Sequence, residues 1–315
     1  MGTSRSPDET RAGYGPFGLS RDPRLRHLST TAIAAWLLSL VACGFIVALL
    51  GFFLVESEPF LRSRGVELIG SPYWSYRHDR LGGLSMILGT LIVSMIGISI
   101  AGPIGILGGI GLSELTRPAL RPWLKIMVEL LAGVPSVVYG LLGILVLSEF
   151  VDFTGLGSRD SLLTAGLLLG IMVIPTVFTL TDDACHAVAQ SYRDVARALG
   201  LTRTESILFG VLPSCRRGIA AALLLALGRA LGETIAVFLV VGRSDNQWPG
   251  TGEWLEIIGR SGQTLTSKLG STEVFIAYSD PQHWGAVVSL GLILLLTTAL
   301  LTALGKVLMG TGGKM

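Results

Sequence analysis

Apolar residues in this chain are gathered into long blocks that polar segments separate. Each of six blocks has about 20 residues or more, which is long enough for a helix to cross a hydrocarbon core of about 30 Å. The blocks are residues 31–55, 84–111, 124–148, 162–181, 219–242 and 284–308. The pattern predicts an all-α membrane protein with six transmembrane helices.

The polar segments predict how the chain is arranged around the membrane. Residues 1–28 form a polar N-terminal tail, and residues 29–310 form the transmembrane domain. No small-residue cleavage site follows the first block, so we expect it to be kept as a span. With the N-terminus in the cytoplasm, the cytoplasmic segments hold about 15 Lys and Arg and the outside segments about 8. Because positive residues concentrate on the cytoplasmic side, both termini are expected there.

Composition narrows the function classes. Half of the residues are hydrophobic and 15% are charged, whereas roughly 25% of the residues in a soluble domain are charged. The apolar composition predicts membrane lipid as the surroundings of the chain. The 24 Lys and Arg form no dense basic block, which argues against a nucleic-acid partner. The three cysteines and four histidines are scattered, without metal-ligand spacing. No pair of catalytic groups lies inside a span, so we expect neither an intramembrane enzyme nor a metal site.

The segment 182–218 is predicted to be two short helices rather than a flexible linker. Apolar residues recur at helical spacing at Val188, Tyr192, Val195 and Leu199. Asp182 and Asp183 are expected to start the first helix, where negative charge suits the helix dipole. Gly200 is expected to end it.

The second helix of this segment has its own boundary residues. Either Thr202 or Thr204 is expected to cap its first turn, which contains Glu205. Pro213 is expected to end it. Read on periodicity alone, the segment is either a generic surface hairpin or a specific contact surface.

The hairpin resembles the EAA loop of ABC-importer permeases. The match runs through DVARALG and, about nine residues later, GVLP. The residues in register with the family pattern are Asp194, Ala196, Gly200, Leu212 and Pro213, while Gly210 stands where isoleucine is usual. The resemblance implies a permease of the type I ABC-importer architecture, whose cytoplasmic coupling helix docks into a groove on an ATPase subunit.

The ATPase itself is expected on a separate protein. A phosphate-binding loop needs GxxxxGK followed by Ser or Thr, and the GK pairs at 305–306 and 313–314 are followed by Val and Met. We therefore expect no cofactor in this chain, with ATP and Mg²⁺ held by the partner ATPase.

Two charges, Arg229 and Glu233, lie in the fifth apolar block. Intramembrane charges are costly, so they are functional candidates by default. The guanidinium group presents a planar fork of donors that matches phosphate oxygens. Glu233 either neutralises Arg229 at i,i+4 or accepts a hydrogen bond from a protonated phosphate oxygen. The alternative for both residues is a structural ion pair that fixes helix packing.

Ser136 lies where the third apolar block is interrupted. Gly133, Pro135 and Ser136 are expected to break the helix locally. They either supply backbone groups and a hydroxyl to a substrate pathway or form a simple kink.

Four stretches resemble the membrane subunits of the Pst-type phosphate importer, and the PstC-type subunit more than its PstA-type partner. They are LGGLSMILGTLIVS at 81–94, SEL at 113–115, LAGVPSVVYGLLG at 131–143 and LGRALGETIAV at 227–237. The resemblance implies a multi-pass phosphate permease in the bacterial cytoplasmic membrane. Its implied partners are a PstA-like permease, an ABC ATPase and a phosphate-binding receptor outside. The alternatives are a permease for sulfate or molybdate, or an assembly or sensor protein without transport.

Overall fold

The computed structural model of the protein describes residues 23–246 and 254–310. Residues 1–22 of the predicted tail 1–28 lie outside the described residues. Residues 23–28 belong to the first helix. The chain divides into two units between Val55 and Glu56.

The first unit contributes one apolar helix. Helix α1 runs from Pro23 to Gly70, and the side chains described before residue 50 are all exposed. An apolar helix that is exposed all round suits a lipid-facing span. The helix continues past the predicted end at 55, and its backbone leaves helical geometry at Arg64. The expected loop 56–83 therefore starts only at residue 71, because Phe60 and Leu68 are buried in the core of the second unit.

The described part of the second unit is mostly helical and contains one small hairpin. Strands β1 (Trp74–Ser75) and β2 (Arg80–Leu81) pair antiparallel, with Trp74 opposite Leu81. The helices that follow are α2 (Leu84–Ile110), α3 (Arg121–Ala132), α4 (Ser136–Leu142), α5 (Ser148–Thr154), α6 (Leu162–His186), α7 (Gln190–Ala198), α8 (Arg203–Glu205), α9 (Leu212–Leu231), α10 (Ile235–Val240), α11 (Trp254–Ile258), α12 (Leu265–Leu269), α13 (Glu273–Ala277) and α14 (Pro281–Gly310). Three π-helical turns, Gly111–Leu115, Gly143–Leu147 and Ser206–Val211, extend α2 or join α4 to α5 and α8 to α9.

Six helical segments within the described residues are long and apolar enough to cross a membrane. They are Ala32–Gly70, Leu84–Leu115, Ser136–Thr154, Leu162–His186, Arg203–Leu231 and Pro281–Val307. This confirms the prediction of an all-α protein with six transmembrane helices.

Two of the predicted spans, 124–148 and 219–242, are interrupted in the structure. The first is split at Gly133–Pro135, because Pro135 has no N–H to continue the helix. Its apolar span starts at Ser136, and α3 is a separate amphipathic helix. The second is split at Gly232–Thr234 between α9 and α10.

Helices α2 and α6 form the centre of the second unit. Glycines let their backbones approach closely. A Cβ at Gly109 would lie 2.6 Å from the Phe178 carbonyl oxygen, and one at Gly105 would lie 2.6 Å from Val177 Cβ. Small residues allow such contacts between membrane helices. The main core extends from this pair onto α4, α9 and α10.

The segment between α6 and α9 forms a hairpin that confirms part of the prediction. The first helix, α7, ends before Gly200, whose φ of +76° is a left-handed conformation that glycine adopts at little cost. Thr202 caps α8, and Glu205 completes a capping box. Residues 190–211 are called the coupling hairpin below.

Two boundary predictions for this hairpin are wrong. Asp182 and Asp183 lie in the last turns of α6 rather than at the start of the next helix, because α6 extends to His186. Pro213 does not end the second helix but lies in the first turn of α9, where a missing N–H costs little. The π-helical turn just before α9 is closed by a hydrogen bond from the Leu212 N–H to the Ile207 carbonyl, so the helix continues through the proline.

Candidate functional site

Arg229 lies in the last turn of α9 and reaches toward two other helices. Its Nη1 donates to Thr176 Oγ1 of α6 at 3.2 Å, and its Nη2 donates to the Ala132 carbonyl of α3 at 3.5 Å. The side chain is exposed in the isolated chain although it belongs to an apolar helix. Three helices therefore meet around one guanidinium group.

Two of the three helices, α3 and α9, end near this meeting point, while α6 passes it as a continuous helix. Ala132 is the last residue of α3, so its carbonyl has no donor in a following helical turn. Thr176 follows Pro175, which lies inside α6. Arg229 itself lies two residues before the end of α9 at Leu231. Interrupted backbone of this kind is tolerated at membrane depth where it lines a cavity or is covered by protein.

The partners of Arg229 are all neutral. Among residues 23–246 and 254–310, no carboxylate oxygen lies within 4.0 Å of its guanidinium group. A buried or membrane-embedded charge is costly unless a counter-charge accompanies it. The arrangement leaves Arg229 oriented by two hydrogen bonds but without a counter-charge from the described residues.

Glu233 does not neutralise Arg229. The i,i+4 pair needs a continuous helix, but α9 ends at Leu231 and Glu233 lies in the break before α10. Its half-buried carboxylate has no hydrogen bond or ion pair with any described residue. The structural ion pair considered from the sequence is therefore not formed. Both charges lie at this break, each without a partner of opposite sign among the described residues.

Ser136 is the first residue of α4, directly after the break that ends at Pro135. It is half-buried, and its hydroxyl has no partner among the described side chains. Tyr139 holds the break together, because its hydroxyl donates to the Leu131 carbonyl at 2.9 Å. The structure thus places Ser136 one turn beyond Ala132, the residue whose carbonyl contacts Arg229.

Three of the four residues of the predicted apolar stripe lie in the coupling hairpin, whereas the fourth, Val188, precedes it and is half-buried against a neighbouring apolar cluster. Tyr192, Val195 and Leu199 are exposed. Ala196, one helical turn after Tyr192, is buried along the edge of this stripe, while Asp194 is exposed and pairs with Arg197 at 3.0 Å. An unpartnered apolar stripe on a short helix is a docking surface in many complexes.

The remaining residues predicted for coupling, Leu212 and Pro213, lie where α9 begins. Leu212 packs against the buried cluster of Cys185, Val211, Cys215 and Ile219, while Pro213 is exposed. A Cβ at Gly210 would lie 3.9 Å from the Tyr192 carbonyl oxygen, an ordinary van der Waals contact. The sequence analysis missed the exposed Leu208 and Phe209 beside it, which offer apolar surface from the neighbouring positions.

An ion pair connects the coupling hairpin to α2, and sequence reasoning missed it. Arg193 of α7 donates to both carboxylate oxygens of Glu114, at 2.6 and 3.1 Å. It also donates to the Cys185 and Val188 carbonyls, at 3.0 and 2.7 Å. Bidentate pairs of this kind fix geometry as well as charge, and the hydrogen bonds that Arg193 donates to Glu114 raise the pKa of Arg193. The available signal was the SEL stretch at 113–115, but its partner is 79 residues away.

A second charged cluster holds α3 against the end of α6. Asp182 is fully buried and accepts from Arg121 at 3.0 Å and from Lys125 at 3.2 Å. Lys125 also pairs with Asp183 at 2.5 Å. The two aspartates, expected at a helix start, instead fix α3 beside α6.

At the opposite end of the bundle from the coupling hairpin, the stretch QTLTSKLG at 263–270 is buried rather than looped out. Lys268 is about 1% exposed, and its Nζ pairs with Asp245 at 2.9 Å and Glu273 at 3.1 Å. The Trp74 ring lies 4.9 Å from the same Nζ, and the Trp74 indole N–H donates to Glu273 at 2.9 Å. These contacts lock together segments that are up to 199 residues apart in the sequence.

Comparison with known proteins is consistent with this architecture. Residues 101–309 match the family described as "Binding-protein-dependent transport system inner membrane component". The chain belongs to this family of membrane permeases, and it is a multi-pass membrane protein.

Curated relatives resemble the chain over almost its whole length. The phosphate transport system permease protein PstC of Mesorhizobium japonicum is 31% identical over 311 residues, covering 91% of this chain and 92% of that protein. PstC 2 of Mycobacterium tuberculosis is 30% identical and covers 92% of both chains.

A solved structure shares the fold. This chain superposes with a TM-score of 0.51 on a chain of the methionine ABC transporter MetNI in an inward-facing conformation. The superposition covers 75% of this chain and 99% of that chain at 17% identity. Sequence comparison and structural comparison thus both support the architecture of an ABC-importer permease.

Proposed function

We propose that this chain is the PstC-like permease subunit of an ATP-driven importer of inorganic phosphate. The observation that carries the proposal is the setting of Arg229, a membrane-embedded cation that has only neutral partners among the described residues. A passing oxyanion supplies the missing counter-charge. One arginine binds it modestly, as a conduit that must release its substrate requires.

Phosphate is favoured over other oxyanions by Glu233. A carboxylate without a partner beside the anion would repel sulfate, which is fully ionised at neutral pH. Hydrogen phosphate has a protonated oxygen that donates to such a carboxylate. The names of the PstC relatives point to the same substrate.

The coupling hairpin receives the energy for transport. Its exposed stripe of Tyr192, Val195 and Leu199 fits an apolar groove on an ABC ATPase subunit. That subunit binds ATP with Mg²⁺ and hydrolyses the ATP. This chain then acts in translocation only. Arg193 and Glu114 transmit the motion of α7 to α2.

The complex has a defined orientation in the bacterial cytoplasmic membrane. Both termini and the coupling hairpin face the cytoplasm, following the distribution of Lys and Arg. A PstA-like permease completes the pathway beside this chain. A phosphate-binding receptor delivers substrate at the outer end, where Lys268 holds the loops together.

Uptake by the reconstituted complex tests the proposal. The permease pair, the ATPase and the receptor are assembled in proteoliposomes, and accumulation of phosphate, arsenate and sulfate is measured with ATP inside. We expect phosphate and arsenate to accumulate, and sulfate to be excluded until Glu233→Gln removes the repelling carboxylate. If the unmodified complex takes up sulfate alone, phosphate is not the substrate. If the complex shows no ATP-dependent uptake of any of these oxyanions, the proposed transport function is wrong.

A further inference from the structure

Two of the three cysteines in the chain lie in contact. The Sγ atoms of Cys185 and Cys215 are 3.2 Å apart. Both side chains are buried, whereas Cys43 is exposed in the first unit. The contact joins residues 30 positions apart, so it is a feature of the fold rather than of the local sequence.

The pair lies at the base of the coupling hairpin. Cys185 is in the last turn of α6, and Cys215 is in the first turns of α9. The whole hairpin, residues 190–211, is inserted between them. A bond between the two sulfur atoms would therefore join the two helices from which the hairpin projects.

The geometry suits such a bond. A disulfide has sulfur atoms about 2.05 Å apart, so the two side chains need to approach by about 1 Å. Cys215 also lines a cavity of about 680 Å³ between α6 and α9. Arg216, Arg217 and Asp183 line the same cavity, so it gives polar small molecules a route to the sulfur.

We propose that Cys185 and Cys215 form a reversible thiol–disulfide site that halts the transport cycle when it is oxidised. The oxidant is a small disulfide such as oxidised glutathione. One cysteine, as thiolate, attacks a sulfur of the oxidant and releases one thiol. The second cysteine then attacks the mixed disulfide and releases the other thiol. Two hydrogens leave the protein, and one oxidant molecule is reduced to two thiols.

The two cysteines are reduced in a resting cell and form the disulfide under disulfide stress. The cytoplasm keeps thiols reduced, so the pair is dithiol when the hairpin faces that compartment. The bond fixes the end of α6 to the start of α9 and prevents the hairpin from shifting relative to both. This consequence rests on the proposed coupling of the hairpin to an ATPase.

The test has a chemical readout that does not depend on the transported substrate. The full complex in vesicles, carrying Cys43→Ser, is exposed to oxidised glutathione, then unfolded in denaturant and alkylated before intact-mass measurement of this chain. We expect loss of two hydrogens with both cysteines protected from alkylation. The added variants Cys185→Ser and Cys215→Ser are expected to form no such bond. Full alkylation of the oxidised Cys43→Ser chain would overturn the site.

The second readout is the rate of ATP hydrolysis by the same complexes. Oxidation is expected to lower it at least about tenfold in the Cys43→Ser complex, which corresponds to about 1.4 kcal/mol, and dithiothreitol is expected to restore it. Both serine variants are expected to keep their rate under oxidant. A bonded complex that hydrolyses ATP at the full rate would overturn the regulatory role. Failure to transport phosphate before oxidation would instead count against the proposed function alone.

Discussion

Two cations in this protein are removed from bulk solvent in different ways. Lys268 is fully buried between two carboxylates and beside the Trp74 ring. Arg229 lies in a membrane-spanning helix and contacts a hydroxyl and a carbonyl, without a carboxylate from the described residues.

The difference separates a structural charge from a functional one. The positive charge of Lys268 is balanced inside the fold, so its removal leaves two carboxylates without their cation. Arg229 is held in position but not neutralised. A transported anion can complete its surroundings without displacing a protein carboxylate.

The largest effect is expected from removing the functional charge. Arg229→Gln should lower phosphate uptake at least about 100-fold, because loss of a charged hydrogen-bond partner costs several kcal/mol. Assembly with the ATPase should be unchanged, since no described ion pair depends on Arg229. Arg216→Gln, on the same helix and exposed, is the matched control in the uptake assay. Normal uptake by an assembled Arg229→Gln complex would contradict the account.

Removing the structural charge should give the opposite result. Lys268→Met is expected to destabilise the protein by about 3–5 kcal/mol, because two carboxylates lose their partner. Thermal unfolding in detergent measures this, with uptake per assembled complex nearly unchanged. Arg260→Met, which removes an exposed pair with Glu256, should cost no more than about 1 kcal/mol. Equal destabilisation by both variants would remove the distinction between the buried and exposed pairs.

The link between the hairpin and α2 should show an intermediate effect. Glu114→Gln is expected to lower the ratio of phosphate transported to ATP hydrolysed by about fivefold, a loss of about 1 kcal/mol of coupling. The exchange Glu114→Arg with Arg193→Glu should recover part of it, whereas Arg159→Gln at an exposed pair should have no effect. An unchanged ratio in Glu114→Gln would show that α2 does not take part in coupling.

The smallest effect concerns acid stability at the Lys268 cluster. Burial acts to raise the pKa of Glu273, but hydrogen bonds from Trp74, Lys268 and His283 and the Lys268 charge outweigh it, so the pKa is lowered. The stabilisation is therefore present above the unfolded-state pKa of about 4.3 and is lost as the pH falls through the lower folded-state value. Thermal unfolding between pH 7 and pH 3 should show this loss, and Glu273→Gln should flatten it. A loss centred above pH 5 would contradict the sign.

Hydropathy was enough to predict the six spans, because a membrane helix is defined by its own residues. The break at Pro135 was also visible, since proline lacks an N–H. The break after Leu231 has no proline and depends on packing between α10 and α4, where a Cβ at Gly140 would lie 2.5 Å from Leu239. The hydropathy pattern alone therefore predicts a continuous helix across this break.

The candidate site was predictable residue by residue but not as an arrangement. Arg229 was conspicuous as a charge in an apolar block. Its partners Thr176 and Ala132 are 53 and 97 residues away, and a single sequence carries no signal for such contacts. For the same reason the pairing of Arg193 with Glu114 could not be predicted. Glu233 was expected on the same helix as Arg229, but α9 ends before it.

The most direct test gives Arg229 the kind of partner that Lys268 has. Thr176→Glu places a carboxylate within reach of the guanidinium group, and Thr176→Gln places a neutral side chain of the same size there. If the transported anion is the counter-charge of Arg229, initial phosphate uptake should fall at least about 100-fold in Thr176→Glu and no more than about tenfold in Thr176→Gln. Equal rates for the two variants in assembled complexes would contradict the claim that Arg229 binds the passing anion.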